Sequence, residues 1–297
     1  MNLTFMEKAK TSINKQKTGK YHISCQQKIN ETKNTKEWLH VLSELKPTNF
    51  KDKNKVLFGI LEKYRHVVIK IGASDTLKKE FNLGRMLYKR VPGFINFICF
   101  FECEDDYNSY PNTTKSYLCE NETLTLMKIL VMEYYPLGNF LHFPWNNTNL
   151  KSCLKQIVLS YLQAFIQFRF IHNDSHLQNI LIKRTKKEFI HYTINNTHFK
   201  LQSNGLKIII MDMENSLLGN ELSDISFVYR DIARIFADLT YNPALKLNSI
   251  NCVDIFTYLN KFILNKGLSC SSSQNVIKSE ILVNDIFERI DALNCFI

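Results

Sequence analysis

The sequence predicts an α+β fold of two lobes, a β-rich one over residues 37–135 and a larger helical one over 136–297, behind a polar extension over 1–36. Three observations predict it. Short apolar runs of strand length, separated by turn residues, fill the first lobe. Apolar residues recurring every three to four positions fill most of the second. A chain of 297 residues that is 45% hydrophobic has enough apolar side chain to bury such a core.

Residues 1–36 are polar and rich in Lys, Asn and Thr, a composition that buries little and predicts a tail. Val56–Ile60 and Val67–Ile71, on either side of polar Glu62 to His66, read as two antiparallel strands. A helix is predicted over Ser74–Arg90, with Ser74 as its cap and Asp75 at the positive end of its dipole. Its spacing puts Leu77, Glu80, Phe81, Gly84, Leu87 and Tyr88 on one face and Lys78, Lys79, Asn82, Arg85 and Lys89 on the other. Glu80 among inward residues requires a partner. Phe94–Glu102 and Leu124–Tyr134 read as strands around a polar loop, Glu104 to Glu122, and Tyr135-Pro136-Leu137-Gly138-Asn139 is the turn that divides the lobes. Leu150–Phe168 is a helix that buries Leu150, Leu154, Ile157, Tyr161, Phe165 and Phe168. Phe189–Ile194 and Thr197–Leu201, joined by Asn195-Asn196, form a hairpin. Phe227–Leu239, Val253–Leu264 and Ser279–Phe287 are helical.

Charge is unevenly distributed. Residues 1–90 carry 20 Lys and Arg against 8 Asp and Glu, whereas the remaining residues carry 18 against 20. The basic third could meet an acidic or nucleic-acid partner, but a solvated lysine-rich face is the favoured reading, because charge alone specifies no partner. The most apolar stretch, Val91 to Phe101, is interrupted and too short for a membrane span, and the lysine-rich start has no apolar signal segment. The 8 cysteines include no Cys-x-x-Cys pair, so they read as reduced thiols of a cytoplasmic protein.

The chemistry concentrates in Phe170-Ile171-His172-Asn173-Asp174-Ser175-His176-Leu177-Gln178-Asn179-Ile180-Leu181-Ile182 and, downstream, Leu206-Lys207-Ile208-Ile209-Ile210-Met211-Asp212. An apolar run that ends on an acid places its carboxylate at the rim of a core. Asp174 can accept a proton from an attacking hydroxyl, and Asn179 and Asp212 offer the oxygen ligands that a hard cation such as Mg²⁺ prefers. Lys70 closes the apolar run Val67-Val68-Ile69 and needs an anion, either a phosphate or Glu80. Leu130 to Gly138 is a strand opening into a turn, whose free backbone groups could take a flat base. His172 reads as a packed structural histidine rather than a zinc ligand, since His172-x-Asp174-x-His176 has no supporting Glu or Cys. Asp231 reads equally as a brace for the Asp174 loop or as an ordinary helix-start acid.

In this order the residues resemble the protein-kinase superfamily over about residues 50–240. Lys70 is similar to its strand lysine and Glu80 to the helix partner. Met132, Glu133 and Tyr135 resemble its nucleotide-base segment, His172-Asn173-Asp174 with Asn179 its catalytic loop, and Asp212-Met213-Glu214 its Asp-Phe-Gly. Two groups look nearest: the serine/threonine kinases of nucleocytoplasmic large DNA viruses, and the haspin group of histone kinases, similar around Lys183-Arg184-Thr185-Lys186 and His191 to Asn195. The resemblance implies a two-lobed kinase fold and transfer of the ATP γ-phosphate to a protein hydroxyl with Mg²⁺ or Mn²⁺. Asp174, Lys70 and Glu80 would be catalytic, Lys70, Met132, Glu133 and Tyr135 nucleotide-binding, and Asn179 and Asp212 metal-binding. The chain departs from the pattern in several places. No Gly-x-Gly-x-x-Gly precedes Lys70, Asn173 replaces the usual Arg, Met213-Glu214 replaces Phe-Gly, and no Ala-Pro-Glu follows. His172-Asn173-Asp174, Asp212-Met213-Glu214 and Asp231-Ile232-Ala233 also resemble kinases of the choline or aminoglycoside type, and the missing glycine loop suits a binding-only pseudokinase.

Overall fold

The computed structural model describes residues 21–22, 38–44, 55–61, 65–102, 128–219, 225–241, 249–264 and 283–293. The extension over 1–36, apart from Tyr21 and His22, and the loop Glu104 to Glu122 lie outside the described residues. The chain is mixed α and β and divides into two compact units, one of Met1–Arg85 with Asn96–Tyr134, the other of Met86–Ile95 with Tyr135–Ile297.

The first unit is built on an antiparallel sheet of six strands: β1 (Tyr21–His22), β2 (Trp38–Glu44), β3 (Lys55–Leu61), β4 (Arg65–Gly72), β5 (Phe97–Glu102) and β6 (Lys128–Glu133). Their order is β1-β2-β3-β4-β6-β5. The apolar runs read as strands pair in register, Leu57 with Ile69 and Ile69 with Val131, and all three side chains are buried. Helix α1 (Thr76–Tyr88) follows β4. Its start is set by the Ser74 hydroxyl, which accepts the Thr76 N–H at 3.2 Å. Phe81 stacks on Phe100 at 5.7 Å between centroids and meets Phe97 edge-on at 6.4 Å. The predicted inward face is observed from Leu77 to Leu87, with Leu83 buried as well. Tyr88 is instead exposed, because the helix ends there and the stripe has no further turn to extend along.

In the second unit, helix α2 (Asn147–Phe168) is buried nearly all round between Leu150 and Phe165. The Asn146 side chain caps its start by accepting the Asn149 N–H at 2.9 Å. It ends at Arg169, whose left-handed φ of 53° turns the chain and whose N–H reaches the Phe165 carbonyl at 2.7 Å. Short ladders surround it: β7 (Phe170–Ile171) with β12 (Leu217–Leu218), β8 (Ile180–Arg184) with β11 (Leu206–Ile210), and β9 (Phe189–Ile194) with β10 (Thr197–Gln202). A two-stranded ladder leaves one edge of each strand unpaired, and those groups need partners when buried. Buried polar side chains of α2 provide them. Gln156 accepts the Ile208 N–H at 3.1 Å and donates to the Leu206 carbonyl at 3.1 Å. Gln163 accepts the Thr193 N–H at 3.0 Å and donates to the Arg90 carbonyl at 3.1 Å.

Helices α3 (Ser226–Tyr241), α4 (Ser249–Leu264) and α5 (residues 283–291) follow. Residues 279–282 of the last expected helix lie outside the described residues. No helix among the described residues is long and apolar enough to cross a membrane.

One predicted strand is cut short. Phe94–Glu102 begins as a strand only at Phe97, and Phe94 and Ile95 belong to the second unit. There the Ile95 N–H donates to the Ile210 carbonyl at 3.0 Å, and the Ile210 N–H donates to the Gly93 carbonyl at 2.6 Å. Gly93 has φ +95°, and a Cβ on it would lie 2.5 Å from the Ser160 Oγ and 2.7 Å from the Ile208 Cδ1. Strain and overlap should act together, so Gly93→Ala is expected to cost about 2–4 kcal/mol. Urea unfolding checks this, with an unchanged midpoint as the contrary result.

Candidate functional site

Lys70 lies on β4 opposite Leu130 of β6. Glu80 lies one turn into α1, on its buried face. The Lys70 Nζ and Glu80 Oε2 are 3.0 Å apart, with side chains 12% and 2% exposed. The ten-residue spacing therefore makes the ion pair that each residue separately required, and removing either partner would leave a buried charge uncompensated. Met132 is buried on β6 opposite Val68. At the end of that strand, several backbone groups that the sequence left open for a flat base are already bonded. The Glu133 N–H donates to the Asn96 carbonyl at 3.0 Å and the Tyr134 N–H to the His66 carbonyl at 3.4 Å. Tyr135, in the second unit, is buried under the Lys183 ammonium at 5.3 Å, and its carbonyl accepts the Gly138 N–H at 3.2 Å.

In the second unit the motif loop runs from β7 to β8. The β8–β11 ladder pairs Ile180 with Ile210, and the Met211 N–H then donates to the Asn179 carbonyl at 3.0 Å. That bond places Asn179 and Asp212 at the same end of the ladder. Asn173 and Asp212 both take left-handed backbone, φ 60° and 62°, a conformation that asparagine and aspartate adopt more readily than other non-glycine residues.

His172 is fully buried. Its Nε2 lies 2.9 Å from the Met211 carbonyl, which can only accept, so Nε2 carries the proton. Burial lowers its pKa and holds it neutral. The Asp231 carboxylate, buried on α3, accepts the His172 N–H at 2.7 Å and the Asn173 N–H at 3.1 Å. Of the two readings that the sequence left open for Asp231, the loop brace is the one observed. Burial raises its carboxyl to about 6 against the opposing pull of those two N–H donors.

Other braces were not anticipated. Asp238, seven residues after Asp231 on α3, accepts the Leu177 N–H at 2.9 Å. Ser175, buried, donates to the Tyr161 hydroxyl at 2.6 Å. Two acids seven apart on one helix face were the legible signal for Asp238, whereas nothing in sequence spacing ties Tyr161 to Ser175.

Asp174 is the partly open member of the loop, its side chain 29% exposed. Asn215 donates to its Oδ2 at 3.3 Å, and the Arg234 Nη2 lies 3.5 Å from its Oδ1. Asn179 donates through Nδ2 to the Asp174 carbonyl at 3.1 Å and to the His176 Nε2 at 3.1 Å. Those bonds leave Oδ1 as the acceptor of the amide, the atom a hard cation takes. The donor set of Asn179 and Asp212 thus fits Mg²⁺, which binds through few protein oxygens plus substrate phosphates. Among the described residues no cluster of three or more His, Cys, Asp or Glu could hold a metal by itself. His176 is engaged within the loop by Asn179, and the His172 ring bonds outside it to the Met211 carbonyl.

No protein-family model matches the chain. The serine/threonine-protein kinase haspin of Bos taurus is 36% identical over 84 residues, which cover 28% of this chain and 10% of haspin. The uncharacterised protein ZK177.2 of Caenorhabditis elegans is 29% identical over 96 residues, 31% of this chain and 32% of that protein. The chain therefore spans about a tenth of haspin and about a third of the nematode protein. The haspin match gives a kinase-like relationship over under a third of a mixed α/β chain.

Proposed function

We propose that the protein is a serine/threonine protein kinase with a two-lobed kinase fold, transferring the γ-phosphate of ATP to a protein hydroxyl. The observation that carries this reading is the closing bond of the β8–β11 ladder, Met211 N–H to Asn179 carbonyl at 3.0 Å. It brings Asn179 and Asp212 to one end of the ladder, beside the loop that carries Asp174, and so supports their use as the two oxygen ligands. The Lys70–Glu80 pair and the haspin match support it. The resemblance to viral kinases rests on motifs alone.

In this reading Lys70, held by Glu80, binds ATP phosphate oxygens, and Met132, Glu133 and Tyr135 line the base. Asn179 and Asp212 hold Mg²⁺, which when bound neutralises charge on the phosphates. Asp174 orients the attacking hydroxyl and accepts its proton. The hydroxyl oxygen forms a bond to the γ-phosphorus while the bond to the β–γ bridging oxygen breaks, and ADP departs with that electron pair.

Thermal unfolding with and without Mg-ATP tests the reading. At a ligand concentration of about 100 Kd, the folded state should gain about 2.7 kcal/mol, and Asp212→Ala should remove the Mg²⁺-dependent part. Absence of any shift in the unsubstituted chain would favour a binding module that does not take nucleotide. Phosphate transfer to histone or casein, scored against choline and aminoglycosides, separates a protein kinase from a small-molecule kinase.

A further inference from the structure

Asp174 lies against a cation that comes from outside its own loop. Between Asp174 and Asn179 the loop contains no lysine or arginine. Arg234 stands on α3, one turn beyond Asp231, and its Nη2 lies 3.5 Å from the Asp174 Oδ1. Asn215 holds the other oxygen, Oδ2, at 3.3 Å. The two carboxylate oxygens therefore have different partners from different segments. The same helix face holds the loop in two ways: Asp231 grips the backbone N–H groups of His172 and Asn173, and Arg234 three residues later faces the side chain of Asp174. Arg234 is 52% exposed along its side chain, more than a purely structural buried pair would be.

We propose that Arg234 is a positioning residue for Asp174, a guanidinium supplied from α3 that, with Asn215, orients the carboxylate for the substrate hydroxyl. This rests on the kinase reading above. Phosphoryl transfer depends on positioning more than on a strong base. An ionised carboxylate with both oxygens engaged still has lone pairs for the incoming hydroxyl. A guanidinium suits this role better than an ammonium because its planar fork holds one orientation.

The experiment uses the full chain. Arg234→Ala is expected to lower kcat about tenfold to a hundredfold, with KM for ATP changed less than about twofold and the thermal midpoint unchanged. Ethylguanidinium should partly restore kcat in that variant, and sodium at equal ionic strength should not. A merely structural arginine would show neither the kcat-only loss nor the rescue. If Arg234→Ala does not fold, Arg234→Lys and Arg234→Gln replace it. Lys should retain more activity than Gln, and equal losses overturn the proposal. A second measurement is independent of turnover. The ¹⁵N signal of the Arg234 guanidinium should report hindered rotation, released by Asp174→Asn. If that signal is unaffected by Asp174→Asn, the pairing is wrong even in a chain that transfers no phosphate. If the signal responds but the unsubstituted chain transfers nothing, the kinase reading fails and with it the catalytic use of the pair. An Arg234→Ala variant within twofold of an active parent overturns the inference alone.

Discussion

Asp174→Ala should abolish phosphoryl transfer while leaving the fold intact. Removing a group that orients the nucleophile and takes its proton typically costs 10²–10⁴ in rate, about 3–5 kcal/mol in the barrier. The side chain is 29% exposed, and its partners Asn215 and Arg234 are themselves exposed. Stability should therefore change by about 0.5 kcal/mol or less. The backbone of the loop is held by Asp231, Asp238 and Asn179, none of which bonds to the Asp174 carboxylate. Kinetics with a histone or casein substrate, alongside urea unfolding, separate the two effects. A variant with unaltered turnover would remove Asp174 from the mechanism.

Asp231→Ala should have the opposite profile, losing activity through the fold. It strips the acceptor from two N–H groups, His172 at 2.7 Å and Asn173 at 3.1 Å. A buried donor left without a partner costs about 1–3 kcal/mol, so a loss of about 2–5 kcal/mol in stability is expected, with the Asp174 loop released. The pH dependence gives a second reading of the same residue. Burial raises the Asp231 carboxyl to about 6 from 3.8, so the folded chain binds its proton more tightly than the unfolded chain. The stability this contributes is present below about pH 4 and is lost as pH rises through 6. The shift corresponds to an order of 3 kcal/mol. Asp231→Asn, which does not ionise, should lack this fall between pH 4 and 6. A parallel pH profile for both proteins would mean that Asp231 does not titrate in that window.

Much of the chain could be read from local pattern. The strands around Leu57 and Ile69, the long helix from Leu150 to Phe168 and the Asn195-Asn196 hairpin follow from side-chain period and turn chemistry, which act between near neighbours. The demand that Lys70 and Glu80 each find a partner was legible too, since a charge placed among apolar residues has few other outcomes. Tyr88 and Phe94 were misplaced for one reason: periodicity does not say where an element stops or which core receives its end. Phe94 sits against Phe170, with ring centroids 5.4 Å apart, a contact across 76 residues that no window of sequence contains.

The sequence by itself determined the chemistry of the loop: which acid, which amide and which second acid stand at the ends of apolar runs. Residue type sets protonation and ligand preference wherever the residue lies. Tertiary structure alone decided how that loop is held. Asp231 and Asp238 reach its backbone, Tyr161 reaches Ser175, and Arg234 and Asn215 take the two oxygens of Asp174. Each of these is a hydrogen bond or ion pair a few ångströms long between residues 14 to 61 positions apart. Such contacts depend on packing that brings separate segments together, and the identity of the residues along the chain does not encode that distance.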